Sequence, residues 1–189
     1  MHTHTALLVI DAQVGLFEGA HRREEIVARI ADLIGKARVA ATPVIYIQHD
    51  DHTPGGLLEV QSPGWQIHPG IAPSETDIVV HKQTSDSFYE TSLQRELDAF
   101  DVGRLVITGM RTEYCVDTTA RRAVSLGYDV TLAADAHTTR ANAVLTAEQI
   151  IAHHNATLDD FGNDDHVVVT AAARTIEFQD ERRPGQLPA

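Results

Sequence analysis

The chain has 189 residues, 43% of them hydrophobic, enough for one sizeable core and short for two, so a single domain spanning 1–189 is expected. A formal charge of −12, from 27 acidic against 15 basic residues with no basic stripe, repels nucleic acid and anionic membrane and argues against both as partners. No run is long enough to span a bilayer, Met1–Thr5 lacks a secretory pattern, and one cysteine permits no internal disulfide; the expectation is a cytoplasmic protein with a free thiol.

Residues 1–5 read as a frayed start. Ala6-Leu-Leu-Val-Ile-Asp11 is a continuous apolar run closing on an acid, as a strand buried on both faces and opening onto a cleft would read. Asp11 is a candidate site residue, or else an ordinary turn aspartate. Gln13, Leu16 and Phe17 follow in an expected loop beside the same cleft. The spacing of Ile26, Val27, Ile30, Leu33, Ile34 and Ala37 predicts an amphipathic helix over 24–41. Pro43 introduces a second strand, Val44–Ile47, leading to the polar run Gln48-His-Asp-Asp-His52. Asp50-x-His52 and the later His68 are ligand types, but the pair has no third ligand at a diagnostic spacing. A solvated loop is the expected state, with no metal and no other cofactor.

Residues 53–74 hold four of the seven prolines together with Trp65 and His68, an irregular connection of the sort that covers or builds a site. Asp77-Ile-Val-Val-His-Lys82 reads as a third strand ending in a lysine, which serves a site or snorkels to solvent. Ser85–Tyr89 supplies hydroxyls and aromatics before a helix over 91–100, with Leu93, Leu97 and Phe100 facing inward. Leu105–Thr108 is a fourth strand. Gly109 and a polar turn then lead to Cys115 at the start of a predicted helix, 116–126.

Unpaired N–H groups at a helix start favour a thiolate and can hold an oxyanion. A lone cysteine is also a common apolar filler. Asp129–Asp135 is a fifth strand closing on an acid, 146–158 a helix containing His153-His-Asn155, and His166–Thr170 a sixth strand; 179–189 reads as a frayed tail.

Strand and helix alternating in this rhythm predict an α/β fold of three layers, α/β/α and Rossmann-like, around a six-stranded parallel sheet. Ligands in such sheets gather at the carboxyl ends of the strands. Asp11, Lys82 and Cys115 all fall there.

The ordered set Leu8-Val-Ile-Asp-Ala-Gln13, Trp65-Gln-Ile-His-Pro69, Asp77-Ile-Val-Val-His-Lys82 with Ser87-Phe88 and Thr91-x-Leu93, Ile107-Thr-Gly-Met-Arg-Thr-Glu-Tyr-Cys-Val116 and Asp135-Ala-His137 resembles the isochorismatase-like cysteine hydrolases. The resemblance implies Asp11 as general base, Lys82 as charge stabiliser and Cys115 as nucleophile. It implies a cis peptide at Met110–Arg111 that turns backbone N–H groups toward the oxyanion, and association into a homodimer or larger homo-oligomer, with the helix 116–126 as a place to look.

Retention of Cys115 favours hydrolysis of a C–N bond over the acid-catalysed vinyl-ether cleavage of members that lack the cysteine. Ile150-Ile-Ala-His-His-Asn-Ala-Thr-Leu158 looks closest to the streptothricin-hydrolase-like branch of small-amide hydrolases. A nicotinamidase would place an Asp-x-His metal pair at the end of the second strand, where this chain has Gln48-His49. The expectation is therefore a hydrolase of a small amide, lactam or ureide. Its alternatives are a vinyl-ether hydrolase using Asp11 as acid, a nicotinamidase, and a silent small-molecule binder. Gln13, Phe17, His49, Trp65, Phe88, Tyr89, Arg111 and Tyr114 are the expected pocket walls, Arg111 either pairing with a substrate carboxylate or lying as a surface arginine.

Overall fold

The computed structural model describes residues 4–179. Six strands, β1 (His4–Ile10), β2 (Val44–His49), β3 (Ile78–Lys82), β4 (Val102–Met110), β5 (Asp129–Thr138) and β6 (Val168–Ala171), form one parallel sheet in the order β3-β2-β1-β4-β5-β6. The strands carry apolar residues on both faces because both faces are covered. Leu7, Val9, Val44, Tyr46 and Val106 pack against α2 (Arg23–Val39) through Ile26, Ile30, Leu33 and Ile34. Leu8, Ile10, Ile45, Ile47, Leu105 and Ile107 pack on the other side with Leu93 and Leu97 of α3 (Leu93–Ala99), Ala120, Ala123 and Val124 of α4 (Asp117–Ser125), and Leu158 of α5 (Ala147–Leu158).

The chain leaves β1 toward β2 on one side and returns through β4 on the other, so the strand order reverses at the β1–β4 pair. A crevice opens at the carboxyl ends of those two strands. That crevice is where Asp11 and Cys115 arrive.

Several boundaries differ from the sequence expectation for identifiable reasons. His4 and Thr5 are not a frayed tail: β1 begins at His4, which pairs with Val102, and Thr5 pairs with Arg104. Residues 1–3, and all of the expected tail beyond Gln179, lie outside the described residues. A single turn, α1 (Val14–Phe17), replaces the loop expected after Asp11. Helix α2 stops at Val39, and Ala41 turns left-handed at φ 57° ahead of Pro43.

Phe100, expected inward, is 44% exposed beyond the end of α3. Strand β5 continues three residues past Asp135. Rather than closing the strand at the cleft, this acid pairs with Arg29 and accepts from the Ala173 N–H. The apolar face of α4 packs against the sheet. Among the described residues no helix is long and apolar enough to cross a membrane.

Gly109 shows how tightly β4 meets β1. Its φ is +111°, and a Cβ built there would lie 2.0 Å from the Ile10 carbonyl oxygen. No side chain fits without moving backbone. Gly109→Ala is expected to destabilise the protein by about 3 kcal/mol or more, because positive φ and overlap add; a urea melt within about 1 kcal/mol of wild type would show the contact to be slack.

Candidate active site

The site is assembled from the ends of four neighbouring strands. Asp11 follows β1 directly with φ 46°, a left-handed conformation that aspartate tolerates better than most residues, and is fixed by its N–H donating to the Ile47 carbonyl at 2.8 Å. Lys82 ends β3, which is two strands from β1, so its side chain must cross β2 to reach the crevice. His49, in register with Lys82 at the end of β2, lies on that path.

Both Asp11 and Lys82 are buried, at 1% and 2% exposure. Lys82 Nζ donates to Asp11 Oδ2 at 2.8 Å and to the Thr84 carbonyl at 2.9 Å, and sits 3.3 Å from both His49 Nδ1 and Cys115 Sγ. An ammonium has three protons. Two are taken by Asp11 and Thr84, so the third is divided between the imidazole and the sulfur. The sequence thus brings an acid, an amine and a thiol to one point, as their shared position at strand ends suggested.

Their electrostatics differ from what the helix start alone predicts. Burial and the neighbouring Asp11 carboxylate push the Cys115 thiol up to about 12, against the pull of Lys82. Near neutral pH the sulfur is therefore protonated at rest. Burial works against the Lys82 charge, but Asp11 and then Cys115 outweigh it and leave its pKa above the ordinary value. His49 is pushed down, first by burial and then by the Lys82 charge, so it stays neutral. Asp11 Oδ1 is buried with no hydrogen-bond partner among the described residues, an acceptor left open beside the thiol's cavity.

Cys115 does not sit in the first turn of a regular α-helix. It lies in a π-helical turn, Thr112–Val116, in which the Val116 N–H reaches back to the Arg111 carbonyl at 3.2 Å, and which runs on into α4. The peptide between Met110 and Arg111 is cis.

Three polar groups, Thr112 and His137 buried and Asn155 half-buried, pin this turn. The Asn155 amide donates to the Ala134 carbonyl at 2.9 Å, which turns its Oδ1 toward His137 Nε2 at 2.8 Å; that nitrogen carries the proton. The other ring nitrogen then accepts from the Thr112 hydroxyl at 2.8 Å. Burial drives His137 down to about 4. In the sequence His137 and Asn155 stand out in polar clusters and in stretches that carry the family resemblance; nothing in their spacing shows that they meet.

A cavity of about 230 Å³ opens over the sulfur, lined by Asp11, Leu16, His49, Leu58, Ser85, Arg111, Tyr114 and Cys115. His49, Arg111 and Tyr114 are thus pocket walls as expected, and five other candidates are not. Gln13 is fully buried and bridges segments: its Nε2 donates to the carbonyls of His49 and Trp65, each at 2.9 Å, and its Oε1 accepts the His49 N–H at 2.9 Å. Phe17 and Phe88 point into the two core layers. Trp65 donates its indole N–H to Asp50 at 2.7 Å and stacks on His81. Tyr89 lies on a separate groove with Asp50, His81 and Glu90.

Leu16, which the sequence shows only as part of a loop beside the cleft, and Leu58, which no pattern marks, arrive because Gly15 and Gly64 let the long loop press against α1. A Cβ on Gly15 would lie 2.8 Å from the Leu57 carbonyl oxygen, and one on Gly64 would lie 2.4 Å from it. No periodicity signals that contact. Ser85 enters from the turn after β3.

The metal pattern of a nicotinamidase does not fit these residues. Asp50 is taken up by Trp65 and His81, His68 accepts from the Gly70 N–H, and among the described residues no three His, Cys, Asp or Glu side chains converge to hold an ion.

Residues 5–159 match the isochorismatase domain. The chain belongs to the isochorismatase family. Within that family it is 39% identical over 138 residues to a streptothricin hydrolase of Streptomyces noursei, covering 71% of this chain and 49% of that protein. It is 31% identical over 147 residues to nicotinamidase 3 of Arabidopsis thaliana, covering 71% of this chain and 73% of that one. The crystal structure of an isochorismatase from Pseudomonas putida KT2440 superposes with a TM-score of 0.84 at 32% identity, over 93% of this chain and 91% of the other. The chain spans about half the length of the streptothricin hydrolases it matches.

The His137 network has a pH signature. Its folded-state pKa of about 4 lies below the ordinary 6.5, so the stability that it contributes is complete above pH 6.5 and is lost as pH falls toward 4. The loss amounts to about 3 kcal/mol at 1.36 kcal/mol per unit. Chemical melts between pH 7 and 4 are expected to show a steeper decline for wild type than for His137→Gln; parallel declines would mean that this histidine titrates as it does in the unfolded chain.

Proposed function

We propose that the protein is a cysteine hydrolase that cleaves the C–N bond of a small amide, lactam or ureide through a thioester, with Asp11, Lys82 and Cys115 as its catalytic residues. The observation that carries this reading is the placing of one buried ammonium 2.8 Å from a carboxylate and 3.3 Å from a thiol on the floor of a cavity. Membership of the family and likeness to proteins named as a streptothricin hydrolase and a nicotinamidase support it.

The thiol enters the reaction protonated. As Sγ attacks the carbonyl carbon, its proton passes to Asp11 at Oδ1, the oxygen with no other partner, and the third Lys82 proton turns from His49 to the sulfur. The carbonyl oxygen becomes an oxyanion beside the turn after β4. The backbone N–H groups of Arg111 and Cys115 are its donors, and losing one such donor typically costs about a hundredfold or more in rate.

Collapse of the tetrahedral intermediate breaks the C–N bond. The departing nitrogen takes the proton held on Asp11, leaving an acyl thioester and an ionised carboxylate. Asp11 then takes a proton from water, whose oxygen attacks the thioester, and returns that proton to the leaving sulfur. Carboxylic acid and thiol result, and the site is restored.

Cys115→Ala is expected to abolish amine or ammonia release, by at least about a thousandfold given the usual cost of removing a nucleophile, and mass spectrometry of wild type with substrate should show an acyl adduct on Cys115. A cysteine-free variant that retains hydrolysis, above all of a vinyl ether, would transfer the chemistry to Asp11 alone. Lys82→Met should inactivate and also destabilise by about 3–5 kcal/mol, because it leaves the Asp11 carboxylate buried and unpaired; a thermal melt unchanged from wild type would contradict that.

A further inference from the structure

Charge around the cavity is balanced group by group, and this has a bearing on what can enter. Among the described residues Arg111 is the one guanidinium on its wall, placed where a substrate carboxylate would reach it. It is already engaged on three sides. Its Nη2 donates to Glu113 Oε1 at 2.9 Å, its Nε donates to the Thr139 hydroxyl at 3.3 Å, and its plane lies 4.9 Å over the Tyr114 ring.

Glu113 is itself turned inward, with 14% of its side chain exposed and its second carboxylate oxygen buried without a partner among the described residues. A carboxylate so placed holds its cation firmly, because separation would strand a charge away from water. The other cation, Lys82, is matched by Asp11 and has no proton to spare. His49 is uncharged. What remains of the wall is Leu16, Leu58, the Tyr114 ring and the Ser85 hydroxyl.

Resting on the amide-hydrolase reading above, we infer that the site selects an uncharged acyl group with an apolar body and rejects one bearing a carboxylate, and that Glu113 sets this preference by occupying Arg111. Glu113 is a specificity-determining residue that acts through Arg111 and not a catalytic one. A substrate anion entering the wild-type cavity would meet no free cation among the described residues and would bring its charge against Asp11 and Glu113. With Glu113 neutralised, Arg111 becomes an open fork for that same anion.

A matched pair of primary amides tests this: 4-methylpentanamide and succinamate have the same number of heavy atoms and differ by an isopropyl group in place of a carboxylate. Ammonia release is measured for both with wild type and with Glu113→Gln, and occupancy is read separately as the rise in melting temperature of Cys115→Ala in each ligand. Wild type should favour the neutral amide by about a hundredfold in kcat/KM, since an unpaired anion is costly to desolvate. In Glu113→Gln that ratio should fall at least about tenfold through a lower KM for succinamate.

Succinamate cut or bound by wild type as well as its neutral partner would overturn the inference while leaving amide hydrolysis intact, and so would a ratio unchanged in Glu113→Gln. Should Glu113→Gln not fold, the wild-type ratio and the occupancy measurement decide alone. If neither amide is hydrolysed and neither raises the melting temperature, the amide reading itself falls and this inference with it.

Discussion

The site depends on the pairing of Asp11 and Lys82. Burial alone works against a charge on either residue, and the two face each other at 2.8 Å. The pair dictates the surrounding arrangement. Lys82 must cross β2 to make it, so the residue in register at the end of β2 is a compact neutral imidazole that accepts from it, and the Thr84 carbonyl caps the remaining side. A thiol placed against this pair does not behave as an isolated cysteine at a helix start would. Burial and the carboxylate raise its pKa while the ammonium lowers it, so the proton stays on sulfur at rest.

What the sequence displays of this is the set of groups that chain direction alone brings together. A run of apolar residues ending abruptly in Asp11, another in Lys82, and a third followed by Cys115 are visible because a parallel sheet aligns all its carboxyl ends at one edge. The pocket walls are less legible. Gln13, Phe17 and Phe88 lie a few residues beyond Asp11 or Lys82 in the chain yet turn into packing or backbone bridging, since the direction of a side chain in a loop or a single helical turn follows from contacts distant in sequence. Leu58 is the converse: it comes from the middle of an irregular loop and is brought over the sulfur by the close approach of Gly15 and Gly64. His137 and Asn155 meet only because β5 runs past Asp135 and α5 lies across it.

The turn that carries Cys115 is held in two ways. On one side Gly109 lets β4 approach β1 so closely that no Cβ fits, which brings the end of β4 and the sulfur beyond it next to Asp11. On the other, Thr112 is tied through His137 and Asn155 to the Ala134 carbonyl. The segment around the sulfur is thus fixed by the sheet and by a hydrogen-bonded polar chain, the kind of support that preorganises the side chains it carries.

The Gln13 bridge has a consequence for how molecules come and go. By holding the backbone of His49 and the carbonyl of Trp65 at once, with Gln48 donating to that same carbonyl at 2.9 Å, it rivets the stretch around Trp65 to the sheet. The part of the rim fastened there does not swing like a door. Discrimination is then exerted on a shape that already exists when a molecule arrives, and the entropy of ordering that stretch is lost once, in folding, and not again at each encounter.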